Sequence, residues 1–133
     1  MRDAVTRRMQ VNSVEELQVW QTARRFVEAV SALTRERLAG DRPLRDQIDA
    51  CTDSILANLA EGFEQGSDRA FARYLYICRG SCAEVKAHLV ASRLRGRVPD
   101  EAAAKLFEQA TDIGRMLTGL INYLLRSDRK HRR

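Results

Sequence analysis

Apolar residues recur along this chain every three or four positions, the period of an α-helix with one buried face. No run alternates apolar with polar residues in the two-residue period of a strand, and no Asn-Gly or Asp-Gly hairpin occurs. The spacing predicts four helices. The first covers roughly Val14 to Leu38, with Leu17, Trp20, Val27 and Val30 on one face and Val19, Phe26 and Leu33 beside it. Ser13 precedes Glu15 and Glu16, which suit the positive end of a helix dipole. "AGDRP" breaks the pattern, and a second helix starts near Pro43 with the stripe Leu44, Ile48, Cys51, Ile55 and Leu59. "EGFEQGS" is the next breaker. Ser67 then stands as the N-cap of a third helix carrying Phe71, Tyr74, Cys78, Ser81, Val85 and Leu89. After "RLRGRVPD" a fourth helix begins around Pro99 or Asp100, with Leu106, Ala110, Ile113, Leu117, Leu120 and Leu124. Long helices on short connections predict an all-α fold, an antiparallel up-down four-helix bundle. The bundle covers residues 13–126, between a flexible basic N-terminal tail at 1–12 and a basic C-terminal tail at 127–133.

The apolar stripe is interrupted in "ILANLAEGFEQGSDRAF", residues 55–71, by Asn58, Glu61 and Gly62. If the second and third helices form a hairpin turning near residue 65, positions equidistant from the turn face each other. Glu61 then lies near Ala70, within reach of Arg69 or Arg73. Asn58 lies near Arg73 and Tyr74, and Cys51 near Gly80. A carboxylate held by arginine is a fixed charge and a poor proton shuttle. Asn58, Glu61, Gly62 and Gly80 therefore read as a structural lock between helices, not as catalytic groups. Gly80, Gly114 and Gly119 fall inside helices, where each costs about 1 kcal/mol relative to alanine. Such positions predict a tight helix crossing or a subunit contact.

Catalytic patterns are absent from the sequence. It has no phosphate-cradling glycine loop, nucleophile elbow or paired-histidine zinc motif. Glu84 with His88 is the nearest approach to the Glu-x-x-His pairs of di-iron bundles, but the spacing is wrong and it occurs once. Cys78 and Cys82, four apart, share a helix face, with Cys51 opposite. They read as small buried thiols in a bundle seam, with soft-metal binding as the alternative. The expectation is a protein that is not an enzyme, with no catalytic residue, no metal or other cofactor and no small-molecule substrate.

Composition narrows the class. With 133 residues, 44% hydrophobic and 31% charged, the chain is one soluble domain. No apolar run approaches the roughly 18 residues needed to cross a bilayer, so no membrane partner is expected. Three cysteines without paired spacing fit a reducing cytoplasm. The net charge of +5 is concentrated at the ends: the first ten and last eight residues hold eight positives against Asp3 and Asp128. From Ser67 to Arg97 seven positives meet only Asp68 and Glu84, whereas from Pro43 to Gly66 only Arg45 opposes five acids. Three arrangements satisfy this asymmetry: pairing of two helices in one chain, pairing of two subunits, or a basic face offered to a phosphate backbone. Arg69, Arg73, Arg79 and Lys86, with the tails, are the candidate nucleic-acid contacts.

Taken together, "VEELQVWQTA", "SILANLAEGF", "CRGSCAEV" and "IGRMLTGLI" resemble, in order and spacing, the four-helix-bundle proteins related to the intervening-sequence proteins of 23S ribosomal RNA genes. The resemblance runs from about Val14 to Leu125. It departs at "LAGDRPLRDQ", where that family commonly has a Phe-Pro and glutamate-containing link. It implies a homopentameric barrel of antiparallel bundles without enzyme activity. It also points to the accessory proteins of diversity-generating retroelements, basic pentamers that associate with a reverse transcriptase and bind RNA or DNA. The expectation is thus a cytoplasmic, self-associating nucleic-acid-binding or adaptor subunit. The alternative is a purely structural homo-oligomer, or a protein adaptor, whose basic helix is used in subunit contacts.

Overall fold

A computed structural model describes residues 11–131. Four helices account for nearly all of them: α1 (Gln18–Arg37), α2 (Arg42–Phe63), α3 (Asp68–Leu94) and α4 (Asp100–His131). No strand occurs among the described residues. Each helix packs on its neighbour in sequence, and α1 closes the ring against α4. The result is the four-helix bundle that the periodicity predicts. Phe26, Ile55, Phe71 and Leu117, one from each helix, are fully buried at its centre. Each such side chain contributes about 1.5–3 kcal/mol through removal from water.

The helix boundaries have local causes. Val14–Glu16 forms a single 3-10 turn, so α1 starts four residues later than its apolar pattern suggests. The Glu16 carboxylate reaches back to accept the backbone N–H groups of Asn12 and Ser13, closing a capping box. Leu17 is then extended and buried, and α1 begins beyond it. The buried face of α1 is Val19, Ala23, Phe26, Val30 and Thr34, whereas Trp20, Val27 and Leu33 are half-buried at its edge. Asp41 caps α2 by accepting from the Leu44 N–H at 3.2 Å, with Pro43 in the first turn. Ser67 caps α3 through the Ala70 N–H at 3.2 Å.

At the far end of α3, Gly96 takes φ 71°. Its N–H donates to the Arg93 carbonyl, and that of Arg97 donates to Ser92, both at 2.9 Å. This is a Schellman closure, which favours glycine at the left-handed position. Arg97 then forms an ion pair with Asp41, fastening the α1–α2 and α3–α4 connections together. Residues 127–131, read from their charge as tail, are the last turns of α4. The other basic tail positions, Arg2, Arg7, Arg8, Arg132 and Arg133, lie outside the described residues.

Candidate functional site

The two faces singled out by charge and polarity are the α2–α3 seam and the outer side of α3. In the seam, Gly62 marks a close approach of the two helices. A Cβ built there would lie 2.7 Å from the Tyr74 Cβ and 2.9 Å from Phe71 Cδ1. The Phe63 and Phe71 rings meet edge to face 6.0 Å apart just beside it. Farther along, Ser81 Oγ donates to Ser54 Oγ at 2.8 Å, and Cys51 Sγ donates to Glu84 Oε2 at 3.0 Å. Asn58 Nδ2 donates to the Ser54 carbonyl at 2.9 Å and to its hydroxyl at 3.1 Å. Asn58 thus joins the seam indirectly, through Ser54 to Ser81.

These pairs correct the register drawn from the hairpin. Cys51 faces Glu84, one helical turn beyond Gly80, and Gly62 faces Tyr74. Aromatic packing at the turn sets the offset, because the missing side chain at Gly62 lets Phe71 and Tyr74 slide against α2. Glu61 is accordingly not held by Arg69 or Arg73. Its carboxylate is exposed and forms no ion pair among the described residues, and its carbonyl accepts from Gln65 Nε2 at 3.0 Å. Nor does Gly80 sit at a crossing within the chain, since a Cβ there meets nothing within 4 Å. Gly114 and Gly119 are equally open.

The three thiols are buried and free of disulfides. Burial, followed by the hydrogen bond and charge of Glu84, pushes Cys51 up to about 12. Burial and then the neighbouring Cys82 push Cys78 up to about 12, and its Sγ donates to the Ile55 carbonyl at 3.4 Å. Burial raises Cys82 to about 11 against an opposing pull from Lys86. None is poised as a nucleophile at neutral pH.

The four basic candidates divide into two pairs. Arg69 and Arg73 are exposed, and among the described residues neither makes an ion pair or side-chain hydrogen bond. Arg79 Nη1 instead donates to Thr118 on α4 at 3.2 Å, and its guanidinium lies 4.9 Å from the centre of the Tyr76 ring. The Lys86 ammonium lies 4.6 Å from the centre of the Phe107 ring, also on α4. At about 100° per residue, Arg73 and Arg79 point roughly 120° apart, so one helix presents its bases to two surroundings. Tyr76 and Ile77, 46% and 51% exposed, continue the outer face beyond Arg73. No ion pair links α2 to α3 among the described residues, so the acidic helix does not neutralise the basic one across this seam.

One grouping was missed at the level of sequence. Cys51, Glu84 and His88 place a sulfur, an oxygen and a nitrogen within 4.8 Å of one another. They line a groove of about 380 Å³ with Gln47, Ser54 and Ser81. The signal was the four-residue spacing of Glu84 and His88, which puts both on one helix face. Only the corrected register brings Cys51 opposite them.

A search of curated proteins finds no match. The family model described as 23S rRNA-intervening sequence protein matches residues 15–119, from the capping turn into the second half of α4. With most of its length matched, and with four helices packed as a bundle, the chain belongs to the 23S rRNA-intervening sequence protein family.

Proposed function

We propose that this chain is a non-enzymatic, self-associating subunit that binds nucleic acid through the outer face of α3, in the manner of the retroelement accessory proteins it resembles. The observation carrying this reading is the exposed pair Arg69 and Arg73, one helical turn apart, unmatched by any described carboxylate and adjacent to exposed Tyr76. Guanidinium groups suit bidentate contact with phosphate, and an exposed ring offers a base a stacking surface. Arg79 and Lys86, cradled on Tyr76 and Phe107, add positive potential behind that face. In this reading the protein works in the cytoplasm as a homopentamer, with a reverse transcriptase as a candidate partner.

A second reading is favoured by the outer face itself. Ile77 and Tyr76 are exposed beside Gly80, where nothing fills the space of a side chain. The acids of α2 and bases of α3 are complementary, yet no ion pair joins the two helices among the described residues. A structural homo-oligomer, or a protein adaptor, would use that face as its subunit contact. Charge reversal at Arg79→Glu separates the two readings. Loss of RNA or DNA retention with the assembly intact supports a phosphate-binding face. Loss of assembly, followed by light scattering, supports the subunit seam.

A further inference from the structure

We infer that Cys51, Glu84 and His88 form a zinc-class metal site that clamps α2 to α3. The inference is independent of the nucleic-acid reading and rests on convergence. Glu84 and His88 stand at i and i+4 on α3, so their side chains leave one helix face in the same direction. Cys51 approaches from α2 and already touches Glu84, with Sγ to Oε2 at 3.0 Å. All three donor atoms lie within 4.8 Å of one another. Donors on a tetrahedral zinc ion, at about 2.0–2.3 Å from the metal, are about 3.3–3.8 Å apart. Half-exposed His88 and exposed Glu84 reach that spacing by small side-chain adjustments, while Cys51 stays fixed in the seam.

Donor chemistry selects the ion. One thiolate, one imidazole and one carboxylate suit borderline-soft zinc and its spectroscopic substitute cobalt(II), and suit magnesium or calcium poorly. The groove beside the donors, lined by polar Gln47, Ser54 and Ser81, supplies water for the fourth coordination position. On binding, the Cys51 S–H bond breaks and a sulfur–metal bond forms, and the proton leaves to solvent. The bound ion spans two helices and so adds a staple beside the Ser54–Ser81 hydrogen bond of the seam.

The test is a titration of the full chain, first stripped of metal with a chelator, using cobalt(II) and then zinc against a chromophoric competitor. The expected result is uptake of one ion per chain, with a thiolate-to-cobalt charge-transfer band and the intense visible bands of a four-coordinate ion. Cys51→Ser should remove the charge-transfer band. His88→Ala, at a half-exposed position that tolerates truncation, should weaken zinc binding by more than about 100-fold, beyond the usual effect of outer-shell changes. Cys82→Ser, outside the triad, should leave both unchanged. Absence of uptake at micromolar zinc overturns the site, as does uptake that His88→Ala leaves intact. If Cys51→Ser does not fold, the His88→Ala titration decides.

Discussion

Gly62 and Tyr74 are in contact through backbone and Cβ: a methyl group at Gly62 would lie 2.7 Å from the Tyr74 Cβ. That contact sets how α2 and α3 slide against each other, and with it every facing pair down the seam. Alanine at this position gains about 1 kcal/mol of helix propensity but forces apart two packed helices at a cost of about 1–3 kcal/mol or more. Gly62→Ala should therefore lower the urea midpoint. Gly80→Ala, with open space around it, should raise it by the equivalent of about 0.5–1 kcal/mol. A stabilising Gly62→Ala would show that the close approach does not set the register.

Asp41 carries two jobs at one end of the bundle. Its Oδ1 accepts from the Leu44 N–H, and its Oδ2 pairs with Arg97. Asp41→Ala removes the cap and the ion pair together and should cost about 1–2 kcal/mol. Asp41→Asn keeps a capping oxygen and should lose less than about 1 kcal/mol, because the ion pair is partly exposed. Equal losses in the two variants, measured by denaturant unfolding, would place the importance in the charge and not in the cap.

Much of this organisation was legible in the residues. Ser67, Pro43 and the "RLRGRVPD" stop fixed three helix ends because capping and turn chemistry are local. Other features depended on distance in the sequence. Val19 and Phe26, not Trp20 and Val27, take the buried face of α1, and Leu17, drawn on the stripe with Trp20, is buried from an extended position before the helix begins. The pairing of Glu61 with arginine failed because counting outward from a turn ignores the shift that Phe71 and Tyr74 impose at Gly62. The same shift hid the convergence of Cys51 with Glu84 and His88. On α3, helical spacing alone turns Arg73 away from Arg79, but the contacts of Arg79 with Thr118 and of Lys86 with Phe107 depend on α4, which spacing within α3 does not supply.

The Cys78 thiol gives the fold an alkaline limit. Its folded value, about 12, lies above the ordinary 9.0. The unfolded chain therefore loses this proton first as pH rises. Its share of stability is intact below about pH 9 and is lost between about pH 9 and 12, at roughly 1.4 kcal/mol per pH unit. Cys78→Ala should cost about 1–2 kcal/mol at neutral pH by leaving a small void. The gap between wild type and variant should close by about pH 11. A gap that stays constant from about pH 8 to about pH 11 would show that this thiol titrates alike in both states.

Filter-binding titration of wild type and the Arg69→Ala/Arg73→Ala double variant, on a mixed-sequence RNA and a DNA duplex across a salt series, addresses the central claim most directly. Wild type is expected to bind both with little sequence preference, and its affinity should fall steeply as salt rises. The double variant should bind more weakly, with a salt slope on duplex DNA smaller by about 2 per engaged subunit. No retention of either nucleic acid at low salt, by a correctly assembled wild-type protein, would contradict the claim.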